Sequence, residues 1–132
     1  PESGIDLPFH PTSHHGNKED VILEFARFNE FHVGLLPYLL EKLENTMEGD
    51  ASLLEKSMVI YGSPMGNSNV HNHKRCPLFV IGGANGKLAG NLHVKAPDGT
   101  PMANAMLDLM HRLGLEDMES FGNSTGTYSL TI

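Results

Sequence analysis

SMVIYGSPMGNSNVHNHKRCPLFVIGG, residues 57–83, is the stretch whose reading decides the fold. It opens with an apolar run, Met58-Val59-Ile60-Tyr61. It closes with another, Leu78-Phe79-Val80-Ile81, which ends at Gly82–Gly83. Neither run alternates apolar with polar residues, the pattern of central strands covered on both faces. Between them, 62–76 is a long polar loop carrying His71 and His73. Loops at the carboxyl ends of strands form the binding face of an open α/β sheet, so both histidines are expected there.

Upstream, Asn17 and Asp20 resemble a helix start. Apolar residues then recur at Ile22, Phe25, Phe28, Phe31, Leu35, Leu39 and Leu43, in steps of three and four that define one helical face. Pro37 lacks an N–H and crowds the preceding turn, so a kink or two helices are expected. Gly49 suits a left-handed cap closing this segment. Downstream, Gly86, Gly90 and Asn91 mark turns before an expected third strand at 92–94. Met106, Leu109, Met110 and Leu113 form the inner face of a helix over 102–113, ended by Gly114. The tail from Glu116, rich in Gly, Ser and Thr, reads as loop. The fold class expected is α/β: a partial three-layer sandwich, with a small, mostly parallel sheet and flanking helices.

The 132 residues suit a single domain, 1–132. The chain begins with Pro1 and reads as the C-terminal fragment of a longer protein. The parent's compartment stays open, a periplasmic or secreted one being the working expectation. No apolar run reaches the roughly 18 residues that span a bilayer. The formal charge of −7, with Lys74–Arg75 as the only local basic pair, argues against nucleic acid. The lone Cys76 excludes an internal disulfide and a cysteine-based zinc framework.

Histidine is the unusual part of the composition. Of eight, five lie in two short irregular segments: His10, His14 and His15, then His71 and His73. Neutral imidazole is a good ligand for zinc and other divalent transition metals. His10, His14, His71 and His73 form the preferred set, with His15 as a substitute or as an outer partner. Neither spacing matches the HExxH signature. Solvent-facing or carbonyl-bonded histidines are the plain alternative.

Other residues point elsewhere. Ser13 between histidines suggests a nucleophile with its base, but a local turn bond is the expected role. Residues 82–87, GGANGK, lack the spacing and the Ser or Thr of a phosphate loop. Cys76 is expected to be a small, inert, half-buried residue. His32 and His93 are expected within regular elements as packing residues. His111 near a helix C-terminus is assigned no chemistry, and Met102, Met106 and Met110 fill the core.

His10-x-x-Ser13-His14-His15 resembles the HxxSHH motif of a family of uncharacterised bacterial proteins. The likeness extends over LLEKSMVIYGSPMGNSNVHNHKRCPLFVIGGANGKLAGN (53–91) and LGLEDMESFGNSTG (113–126). That family is in turn distantly similar to the alkaline phosphatase and sulfatase superfamily. The resemblance implies an alkaline phosphatase-like fold. It also implies a metal held by His10, His14 and either His71 or His73, and a small anionic ester as substrate. The superfamily's second metal uses an Asp-His pair where this chain has Pro64–Met65. Its nucleophile belongs to an N-terminal half that this chain lacks. The chain is therefore expected to be the metal-binding part of a metal-dependent phosphatase- or sulfatase-like hydrolase. The alternative is a non-catalytic binding domain with a structural metal or none. Sheet edges and a helix face left uncovered in a fragment would favour homo-oligomers.

Overall fold

The computed structural model describes residues 4–129, and residues 130–132 of the expected tail loop lie outside them. The chain forms two compact units. One contains 4–43 and 63–77, the other 44–62 and 78–129.

The first unit holds three helices and the polar loop. α1 is one short turn, Phe9–Ser13. α2 runs over Glu19–Gly34 and α3 over Leu36–Glu44, so the helical pattern does break into two helices just before Pro37. Lys18, not Asn17, is the N-cap of α2, and no side chain caps it. Phe9 of α1 lies against α2, with its ring 5.6 Å from those of Phe25 and Phe28 and 5.4 Å from His32. So short an element covers only a strip. Phe28 is the one buried residue of α2, while Ile22, Leu23, Val33 and Leu39 stay exposed. The hydroxyls of Thr12 and Ser13 are buried and donate to the carbonyls of Pro8 and His10, each at 2.7 Å.

The second unit begins with a hairpin, β1 (Met47–Glu48) and β2 (Ala51–Ser52). Gly49, expected to cap a helix, instead takes its positive φ of 68° in the two-residue turn of this hairpin. α4 (Leu53–Lys56) follows at once, opened by a capping box. Ser52 Oγ accepts from Glu55 N, and the Glu55 carboxylate accepts from Ser52 N. β3 (Val59–Gly62) then pairs with β4 (Leu78–Ile81).

That pairing is antiparallel, Val59 opposite Ile81 and Gly62 opposite Leu78, and it overturns the expected fold class. Among the described residues there are two two-stranded antiparallel sheets, not a mostly parallel sheet in a three-layer sandwich of alkaline phosphatase-like form. The physical reason lies in the connection. Parallel neighbours need a crossover, usually a helix. Here Ser63 N donates to Pro77 O at 3.1 Å, closing the polar loop at its base, so the chain must return antiparallel. The strands are not covered on both faces either, as Ile60 and Phe79 are 45% and 48% exposed.

The third strand expected at 92–94 is absent. Those residues are irregular, so His93 is exposed on a loop and not packed in a strand. Residues 82–85 fasten β4 to α4. Gly83 N, Ala84 N and Asn85 N donate to the carbonyls of Leu54, Ser57 and Glu55 at 2.9–3.0 Å. A Cβ on Gly82 or Gly83 would fall 2.3 or 2.4 Å from a carbonyl oxygen, which accounts for both glycines. The helix expected over 102–113 forms as α5, Met102–Arg112, with Leu107 and Leu109 buried. Buried Asn104 clamps the tail: its Oδ1 accepts from Thr125 N (2.9 Å) and its Nδ2 donates to Thr125 Oγ1 (3.2 Å). No helix among the described residues is long and apolar enough to cross a membrane.

Candidate metal centre

The candidate site lies wholly within the first unit. His10 and His14 are four residues apart, at the start and the C-cap of α1, so both project from the same side of that turn. Their ring centres are 5.1 Å apart. His71 arrives from the polar loop, and its ring centre is 4.9 Å from that of His14. His14 thus stands next to both His10, from its own segment, and His71, from one far away in sequence.

The loop is shaped to deliver His71. Residues 68–70 form a 3₁₀ turn, and His71 follows it in the left-handed conformation, at φ 51°. That conformation is uncommon for a residue with a Cβ and tends to persist where the surroundings enforce it. Here Asn67 Oδ1 accepts from Asn69 N, Asn67 and Asn72 bridge the loop, and Gly66 N donates to Asn72 O at 2.8 Å. Gly66 is indispensable to this closure. A Cβ at that position would stand 1.9 Å from the carbonyl oxygen of Lys74.

Two hydrogen bonds join the loop to α1 and to the turn that follows it. Ser68 Oγ donates to Ser13 O, and Gly16 N donates to Asn69 Oδ1, both at 2.8 Å. The result is a cleft of about 170 Å³ lined by Phe9, His10, Ser13, His14, Met65, Ser68 and His71.

Of the five expected ligands, His10, His14 and His71 therefore come together. His15 and His73 do not line the cleft. His15 Nδ1 accepts from Asn17 N at 3.1 Å, and His73 Nδ1 is 2.8 Å from Pro64 O, which also accepts from Cys76 Sγ at 3.0 Å. Among the described residues, no three His, Cys, Asp or Glu side chains stand in a geometry that could hold a metal ion. The three cleft histidines are exposed.

Other candidates resolve plainly. Ser13 Oγ is committed to its own helix, as a turn bond and not as a nucleophile on a histidine. The N–H groups of residues 83–85 are committed to carbonyls and are not free to cradle a phosphate. His111 Nε2 lies 2.8 Å from Met118 O. Sequence reading missed Phe9 as the cleft wall, and Ser68 and Asn69 as the tether. The polar run 67–69 held a clue, since Asn and Ser side chains readily bond nearby backbone.

Comparison of the chain with protein-family models, curated proteins and solved structures finds no match.

Proposed function

We propose that this chain binds a divalent transition metal, zinc foremost, through His10, His14 and His71. The observation that carries this is the pair of ring spacings, 5.1 and 4.9 Å, which share His14. Two imidazoles on one tetrahedral ion, with metal–nitrogen distances of ~2.0–2.1 Å, have ring centres about 5 Å apart. Three histidines plus an open position is also the ligand count of catalytic zinc sites. His15 and His73 stand outside this set.

This site would serve a metal-dependent hydrolase acting on a small phosphate or sulfate ester, as the motif resemblance suggests. A zinc ion held there supplies Lewis-acid polarisation of an ester oxygen. The chain's own part is to hold three imidazoles in a cleft that Phe9 and Met65 also line. A second reading, metal-fixed binding without turnover, is favoured by one specific observation. Both hydroxyls in the cleft wall, Ser13 and Ser68, are committed to backbone carbonyls, so neither stands as a nucleophile.

The test is zinc titration against a chromophoric chelator, with protein purified without a histidine tag. Wild type and His15→Ala are expected to take up a single equivalent. His14→Ala, lacking the middle ligand, is expected to lose it. Equal zinc uptake by wild type and His14→Ala would overturn the assignment.

A further inference from the structure

The cleft carries a fourth donor that ester hydrolysis leaves unused. The Met65 side chain lines it beside His10, His14 and His71. Its backbone is pinned on both sides. Ser63 Oγ accepts from Met65 N (3.1 Å) and donates to Met65 O (3.0 Å), and Gly66 is packed against the Lys74 carbonyl. The side chain itself keeps three rotatable bonds, so its sulfur can move within a fixed frame.

No carboxylate lines the cleft. The available donors are therefore imidazole nitrogens and a thioether sulfur, all uncharged. An all-neutral set leaves the charge of a divalent ion uncompensated, and a thioether is a soft ligand that selects Cu(I). Phe9 adds an apolar wall, which suits a monovalent ion better than a strongly hydrated divalent one.

We propose that the preferred occupant of this cleft is cuprous copper, with Met65 Sδ as a ligand beside the histidines. The proposal rests on the histidine-cleft reading above and changes the identity of the ion. Met65 then has a role in this chain, at a place where the resembled superfamily carries an Asp-His pair.

The experiment titrates Cu(I), kept reduced with ascorbate under argon, against bathocuproine disulfonate, with Zn(II) titrated in parallel. Copper X-ray absorption reads the sulfur shell. Wild type, Met65→Leu and Cys76→Ser are compared. Met65→Leu nearly conserves volume, so the fold is expected to survive it. Wild type and Cys76→Ser are expected to bind a single Cu(I) with one sulfur neighbour. Met65→Leu is expected to lose that neighbour and at least about tenfold in Cu(I) affinity, with zinc affinity changed less than about threefold. An unchanged Cu(I) affinity in Met65→Leu overturns the proposal. So does a sulfur shell lost in Cys76→Ser but kept in Met65→Leu. Zinc uptake by wild type without Cu(I) uptake overturns this inference and leaves the histidine cleft standing. Failure to bind either ion overturns both.

Discussion

The double variant Ser68→Ala/Asn69→Ala removes the tether between α1 and the polar loop while leaving every proposed ligand in place. Two hydrogen bonds of 2.8 Å are lost, Ser68 Oγ to Ser13 O and Gly16 N to Asn69 Oδ1. Each is partly or fully solvent-exposed, so each nets about 1 kcal/mol, and the pair about 2 kcal/mol. The cross-contact between His14 and His71 is otherwise an edge-to-face ring pair, worth about 0.5–1.5 kcal/mol. The tether is thus the larger part of what keeps His71 beside His14. Weakening it by about 2 kcal/mol lowers the population of the assembled cleft up to about 30-fold, and apparent metal affinity falls by the same factor. The assay is zinc competition at constant pH, with the helical circular dichroism signal confirming that α2, α3 and α5 persist. A tenfold or greater loss of affinity is expected. A loss below about threefold, with the helical signal unchanged, would refute the view that these two bonds assemble the site.

Two further outcomes follow from the geometry. Gly66→Ala places a Cβ 1.9 Å from the Lys74 carbonyl oxygen; the loop must open, and the Gly66 N to Asn72 O bond is lost. The expected cost is about 2–3 kcal/mol in urea unfolding, together with lost metal uptake. Asn104→Ala strips the Thr125 amide and hydroxyl of their partner. A loss of about 2 kcal/mol is expected, with faster amide exchange in residues 121–128 than in α5.

The longer helices, α2, α3 and α5, were legible in the sequence because their signals are local, while the short α1 and α4 were not. The three- and four-residue steps through Phe25 and Phe28, the break before Pro37 and the stop at Gly114 all reflect short-range backbone physics. Two strand positions were legible too, those of β3 and β4, and Leu78–Ile81 falls where its apolar run does, while the strand expected at 92–94 did not form and the short β1–β2 hairpin went unread. Strand direction was not legible. An apolar run such as Val59-Ile60-Tyr61 has the same composition in a parallel sheet and in a half-solvated hairpin. The deciding bond, Ser63 N to Pro77 O, joins backbone groups that carry no side-chain signature. The meeting of His14 with His71 was expected for a reason that the fold removes, a shared binding face at strand ends. It arises instead from Ser68 and Asn69 gripping α1. His73 was separated from the group by a single carbonyl, that of Pro64, which no residue pattern marks.

The stitch between Ser63 and Pro77 has a consequence for how the protein comes together. Fifty-six residues separate His14 from His71 along the chain, a long span to close by diffusion alone. Zipping β3 onto β4 draws the ends of the 63–77 segment together first, so it meets α1 as a pre-tied knot and not as a loose strand of chain. Hairpin formation should therefore precede assembly of the histidine cleft in refolding, and a chain in which the ladder has come undone should lose that cleft before its helices melt.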